Sequence, residues 1–205
     1  MKKGNRQTQA AETKERIFNT ALELFKKRGF NQVSVDEIVK KSKSSKGAFY
    51  GHFKTKYSIF LEKFKEIDSF YEQYISEMPS NLTLKDKVLY LFEGQMDYLE
   101  HDLGLDMMRT IYKCGLDESD ENFFLNTNRN LYKIIQNFLK VSIENGELEK
   151  DIDVQMVSML ITRCMRGTLY DWIASIEEYD LQEESKVFVS FFLDGVIQQY
   201  GKKPI

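Results

Sequence analysis

The chain has 205 residues, 42% of them hydrophobic and only two of them proline, which is enough for a real core in one or two domains. It holds no run of 18 apolar residues, which excludes a membrane-spanning helix, and its basic start MKKGNRQTQAAETKER has no apolar centre of the kind a secretory signal needs. A cytoplasmic location is therefore the expectation. The net charge of −3 hides an asymmetry: residues 1–56 carry 14 Lys and Arg against 5 Asp and Glu, whereas residues 57–205 carry 15 against 27. A basic head on an acidic body is the distribution of a DNA-binding module joined to something else.

In chain order, residues 1–10 are polar, basic and aperiodic, and read as a flexible arm. Lys2, Lys3 and Arg6 suit phosphate or a minor groove, and a plain solvated tail fits equally well. A first helix is predicted from Glu12 to Arg28, with Ile17, Phe18, Ala21, Leu22 and Phe25 as its apolar stripe. Gly29 fits the left-handed position after it, with Phe30 packing back on the last turn. Thr13, Lys14 and Arg16 near its start are positioned either for DNA backbone or for ordinary surface contacts.

The stretch from Ser34 to Lys56, SVDEIVKKSKSSKGAFYGHFKTK, organises the rest. Ser34 and Glu37 fit a capping box, in which the hydroxyl accepts from an orphan amide and the carboxylate reaches back to the Ser34 amide. Val35, Ile38 and Val39 form the inner face of the helix that follows. That helix is expected to stop in Ser42-Lys43-Ser44, where serines compete for backbone hydrogen bonds. A second short helix, capped by Ser44 or Ser45, runs to about Gly51 with Phe49 and Phe53 inward. Ser45, Lys46, Ala48, Tyr50 and His52 are left outward: donors, one small residue and a Tyr, with no carboxylate. Two helices joined by so short a turn are the helix-turn-helix arrangement, whose second helix enters the major groove. Gly47 costs this helix about 0.8–1.0 kcal/mol relative to alanine. Amid Lys46, Tyr50, His52, Lys54 and Lys56, its use is a backbone that lies close to DNA.

Capping box, turn and S-K-G-x-x-Y-x-H-F-K-x-K together resemble the head of TetR-type transcriptional regulators, over roughly residues 10–60. The resemblance implies that Ser34 caps and touches phosphate, and that Lys46, Gly47 and Ala48 occupy base-reading positions. It further implies that Tyr50 and His52 contact phosphate or base edges and that Lys56 binds phosphate. Ser44 and Ser45 complete the candidate DNA-binding set. The chain departs from the family pattern in two places. Lys43 stands where the turn glycine is usual, with Ser44 in place of the apolar residue after it, so Lys43 is expected in a left-handed backbone conformation uncommon for a non-glycine residue. Tyr57 and Ser58 replace the acidic residues that usually follow the last lysine.

Helix four is predicted from near Thr55 to about Met78, unbroken across the head-to-body border and stopped by Pro79. Another capped helix runs from Thr83 to about His101, a shorter one from Leu105 to Cys114 ending at Gly115, and a long one carries Phe123, Phe124, Leu131, Ile135 and Leu139 to Gly146. The last two, about 153–176 and 183–200, carry wide apolar surfaces with Gly167, Ser190 and Gly195 allowing close approach, and predict a homodimer through a four-helix bundle. Core helices of a monomer are the alternative.

The fold class is therefore all-α. A three-helix, helix-turn-helix DNA-binding domain (1–55) precedes a helical effector-binding and dimerisation domain (56–205), about nine helices in all. Met96, Met108, Ile111, Tyr112, Phe124, Tyr132, Met165 and Trp172 are candidates to line a pocket for a largely apolar small-molecule effector, against the reading that most of them are simply core. Arg109 and Arg166 suit an anionic group or a salt bridge. Asp97 and His101 are four apart, too few ligands for a metal site. Cys114 and Cys164 read as reduced thiols. No catalytic motif is present, and no cofactor is expected. The function read from all this is a DNA-binding regulator, a repressor that binds a palindromic operator as a homodimer and is released by an effector. An architectural or accessory DNA-binding protein is the alternative, and a helical enzyme a more distant one.

Overall fold

The computed structural model describes residues 2–117 and 123–202, with the side chains of 7–116 and 124–202. Among the described residues the chain is all-α, as expected. The helices are α1 (Lys2–Arg28), α2 (Val35–Lys41), α3 (Lys46–His52), α4 (Tyr57–Ser76), α5 (Leu84–Asp97), α6 (Leu105–Asp117), α7 (Asn130–Glu144), α8 (Val154–Ala174) and α9 (Leu181–Tyr200). No described helix is long and apolar enough to cross a membrane. Two compact units emerge. One holds the residues up to Lys65 together with Asp106–Asp117; the other holds Glu66–Leu105 and the described residues from 123 onward.

In the second unit, side-chain caps set the helix starts. Thr83 Oγ1 accepts from Asp86 N at the head of α5, Asp153 Oδ1 from Met156 N at α8, and Asp180 Oδ1 from Glu183 N at α9. Gly146, at φ 77, closes α7 with two return bonds, Glu147 N to Ser142 O and Gly146 N to Ile143 O. A largely buried ion pair between Arg129 and Asp68, at 3.0 Å, ties the approach to α7 onto α4. The helices α5, α7, α8 and α9 bury a continuous apolar set that includes Val88, Leu91, Met96, Ile135, Leu139, Ile161, Leu169, Val189 and Leu193.

Several boundaries differ from the sequence expectation. Helix α1 begins at Lys2 rather than Glu12, because Gln7–Ala11 is rich in good helix formers and contains no breaker. The side chains of Lys2, Lys3 and Arg6 lie outside the described residues, as does the acidic stretch 118–120. Helix α5 widens after Asp97 into a π-helical turn, Tyr98–Leu103, which Gly104 ends at φ 80. Helix α6 passes through Gly115 to Asp117. Phe123 and Phe124 sit in a separate 3₁₀ turn, Phe123–Leu125, ahead of α7. Gly29 has φ 78 and ψ 151, a conformation open to glycine but not the left-handed helical one.

The first unit is built on aromatic packing. Phe25 meets Phe60 at 4.7 Å between ring centroids and Phe30 at 5.1 Å, and Phe18 stacks on Phe53 at 6.4 Å. Ile17, Ala21, Val33, Ile38, Phe49, Phe53 and Ile59 are all fully or almost fully buried around them. The turn from α2 to α3 is a Schellman motif: Ser44 N donates to Val39 O (2.9 Å) and Lys43 N to Lys40 O (3.3 Å). Lys43 occupies its left-handed position at φ 50, the one non-glycine positive φ among the described residues. The two serines flanking it bond to each other, Ser42 Oγ to Ser44 Oγ at 2.8 Å. Arg16 Nε donates to Ser42 O at 2.8 Å, so a cation of α1 closes the C-terminal end of α2. A left-handed backbone costs an L-residue about 1–2 kcal/mol, offset in a glycine variant by the larger freedom of its unfolded chain. Lys43→Gly is therefore expected to stabilise the protein by about 0.5–1 kcal/mol in urea unfolding; a loss of stability would contradict the strained assignment.

Candidate nucleic-acid interface

Helix α3 starts at Lys46 because Ser45, in an extended conformation, accepts at Oγ from Ala48 N at 3.1 Å. Of the two candidate caps, Ser45 takes the role, and Ser44 belongs to the turn. Phe49 and Phe53 face inward with essentially no exposure. Opposite them lie Gly47 and Gly51, both exposed, with Tyr50 beside them at 55% exposure and His52 and Ala48 half-buried at the edges. A Cβ built on Gly47 would meet only Ser45 Oγ, at 3.9 Å, and one built on Gly51 would meet nothing within 4 Å. Neither glycine is required by packing inside the chain, although each weakens the helix.

Helix α2 carries Ser34 as its cap, with Oγ accepting from Glu37 N at 3.2 Å. The capping box is only half formed, because the Glu37 carboxylate pairs with Arg28 instead of returning to the Ser34 amide. Lys46 Nζ is paired with Asp36 Oδ1 at 2.6 Å across α2 and α3. That hydrogen bond and the Asp36 charge hold the lysine pKa above its usual value, so the ammonium is charged but already engaged at the surface.

Lys56 Nζ donates to Phe30 O at 2.6 Å and Val33 O at 2.7 Å and lies 4.0 Å from the Phe30 ring centroid. The backbone between α1 and α2 turns its carbonyls toward the start of α4 and captures the ammonium there. Partial burial lowers its pKa. The start of α4 also shows what replaces the missing acidic residue: Ser58 Oγ accepts from Thr55 N (3.1 Å) while Thr55 Oγ1 accepts from Ser58 N (3.2 Å), a reciprocal cap made of two hydroxyls. Thr13, Lys14 and Arg16 have intrachain partners: Thr13 donates to Gln9 O, Lys14 pairs with Glu62 at 2.5 Å, and Arg16 bonds Ser42 O.

The eight candidate effector residues divide between the units. Met108 and Ile111 are fully buried and Tyr112 half-buried in the first; Met96, Phe124, Tyr132, Met165 and Trp172 belong to the second. Tyr132, Phe124 and Arg166 do come together. The Tyr132 hydroxyl donates to Phe124 O at 3.1 Å, and Arg166 Nη1 donates to that hydroxyl at 3.1 Å and to Phe124 O at 3.4 Å. A cleft of about 230 Å³ between α5 and α9 contains one of the eight, Met96. Asp97 and His101 form an exposed pair at 3.2 Å, and among the described residues no third metal-binding side chain joins them. Among the described residues neither Cys114 nor Cys164 is in a disulfide, and burial raises the Cys164 pKa.

Comparison with known proteins follows the same division. The profile of bacterial regulatory proteins, tetR family, matches residues 17–62, and that of the C-terminal region of MAATS-type transcriptional repressors matches residues 105–198. The HTH-type transcriptional regulator QacR of Staphylococcus aureus is 30% identical over 89% of this chain and 97% of its own length. The fatty acid metabolism regulator protein of Bacillus subtilis is 24% identical over 88% and 93%. Among solved structures, Thermus thermophilus FadR, a TetR family transcriptional repressor in complex with lauroyl-CoA, superposes with a TM-score of 0.77 at 21% identity, covering 94% of this chain and 99% of that one. Bacillus subtilis FadR in complex with stearoyl-CoA superposes at 0.67 and 23% identity, covering 88% and 98%. The helix-turn-helix geometry and these likenesses agree: the chain is a DNA-binding transcriptional regulator of the TetR family.

Proposed function

We propose that this regulator is a repressor that binds a palindromic operator as a homodimer and is released by a small-molecule effector with a largely apolar body. One observation carries the DNA-binding half: the exposed strip of α3, where Gly47 and Gly51 leave open space next to Lys46 and Tyr50. A strip without side chains lets the helix backbone approach the groove floor. Lys46 and Ala48 then reach base edges, while Ser34, Ser44, Ser45, Tyr50 and His52 fix the register through phosphates. Lys46 exchanges Asp36 for a base acceptor on binding. Lys56 contributes chiefly by holding the α1–α2 connection onto α4, and has one remaining N–H for phosphate.

The dimer half is supported by an apolar face on α8 and α9. Phe191 is 75% exposed, Tyr170 60% and Phe188 47%, with Val187 and Met156 also exposed and the exposed Gly167 lying beside Phe188. Such a face on two adjacent helices suits the same face of a second copy. A dimer that reads two half-sites one turn of DNA apart needs its reading helices about 34–36 Å apart. The effector half is supported by the acyl-CoA complexes of the two FadR neighbours and by the apolar side chains of the second unit. An effector that favours a dimer with wrongly spaced heads weakens DNA binding, and DNA weakens effector binding by the same factor.

Gly47→Ala separates the roles of that glycine. Added helix propensity is expected to stabilise the free protein by up to about 1 kcal/mol, while the methyl group keeps the backbone off DNA and lowers affinity about tenfold or more. Thermal unfolding and fluorescence anisotropy on a duplex at fixed salt measure the two; undiminished affinity would contradict close approach at Gly47. For the dimer, Phe191→Glu is expected to convert the protein to monomer in sedimentation equilibrium with its helical content intact. A dimer of unchanged strength would rule out the α8–α9 face.

A further inference from the structure

The reading face of the head carries an acid that its cations do not explain. Helices α2 and α3 hold two carboxylates between them, Asp36 and Glu37, both in the first turn of α2. Glu37 is turned to Arg28 on α1. Asp36 is turned to α3: its Oδ1 lies 2.6 Å from Lys46 Nζ, with the Asp36 side chain 67% exposed and that of Lys46 62%. A negative charge at the head of α2 suits the helix dipole whichever way it points, so the dipole does not account for a partner on the next helix. Exposed ion pairs contribute little to folding. A carboxylate brought among phosphates lowers affinity for DNA unless a donor on the DNA meets it.

Lys46 is the first residue of α3, the end of a reading helix whose side chains meet base edges. A carboxylate oxygen within one hydrogen-bond length of its ammonium reaches the same part of the groove. The two present a donor and an acceptor side by side. A G·C pair presents the complement in the major groove: acceptors N7 and O6 on guanine and, next to O6, the N4 amino donor of cytosine. O6 and N4 are themselves about 2.9 Å apart across the pair. We infer that Asp36 is a specificity-determining residue of operator recognition: as Lys46 leaves it for guanine O6 and N7, its carboxylate accepts the groove-side N4 hydrogen of the paired cytosine. The ion pair thus opens onto one base pair, and each partner finds a hydrogen bond there. A·T and C·G reverse the order of donor and acceptor; T·A keeps it but puts a methyl group in place of the N7 acceptor. Over phosphates alone the acid gains nothing, so Lys46 stays with it. This deepens the operator reading and rests on it.

The test uses the full chain and the operator recovered by sequence selection. The base pair concerned is the one at which Lys46→Ala relaxes the preference for guanine. In one half-site its cytosine is replaced by N4-methylcytosine, which keeps base pairing and puts a methyl group where the groove-side hydrogen was. The unsubstituted protein is expected to lose about tenfold in affinity on that duplex, by fluorescence anisotropy at fixed salt. Asp36→Ala is expected to lose less than about twofold, and to discriminate G·C from C·G at that position about tenfold less. Asp36 is exposed and α2 keeps its Ser34 cap, so the variant folds, which circular dichroism checks. A merely structural role for Asp36 would change affinity for both duplexes alike. Equal loss in the two proteins, no loss in either, or no position relaxed by Lys46→Ala would each overturn the assignment. If the unsubstituted protein enriches no sequence, the operator reading falls and takes this inference with it. An enriched operator whose recognition ignores N4-methylation removes Asp36 alone.

Discussion

Lys43 holds a left-handed backbone between α2 and α3, and the direction of the reading helix follows from it. Two return hydrogen bonds to Val39 and Lys40 close α2, the Ser42–Ser44 hydroxyl pair locks the corner, and Arg16 reaches from α1 to the last exposed carbonyl. With the corner fixed, Phe49 and Phe53 can enter the aromatic core only with Gly47 and Gly51 turned to solvent. The geometry that presents α3 is thus a consequence of one strained residue held by its neighbours, which is how local strain persists in folded proteins.

Helix α3 is locally poor. It is seven residues long and contains two glycines, neither of which fills a tight space in the fold. Isolated, such a segment would not be helical. Its stability comes from the Ser45 cap and from the buried rings of Phe49 and Phe53, so its outer surface is released from any structural duty. A surface that weakens its own helix and gains nothing inside the chain is most simply understood through what it meets outside.

Features set by neighbours in sequence were legible in advance. The Ser34 cap, the inward Phe49 and Phe53 and the capped starts at Thr83 and Asp153 follow from hydrogen bonds or periodicities spanning three or four residues, and the left-handed Lys43 follows from the family resemblance, where it stands at the turn glycine. What could not be read depends on tertiary neighbours. The ammonium of Lys56 is taken by carbonyls 23 and 26 residues away, and Glu37 by Arg28, which sits on another helix. No pattern in 84–103 announces that α5 ends in a π turn. Residue type alone does not tell core from lining: Met108 and Ile111 are fully buried in the head's unit.

Selection of bound sequences from random duplex DNA, at one stated salt concentration, tests the central claim that a paired helix-turn-helix reads sequence through α3. Enrichment of a palindrome whose half-sites are centred about one helical turn apart is the predicted result. Tight binding with no sequence enriched would contradict base readout by α3 and leave the basic head as a general DNA-binding surface.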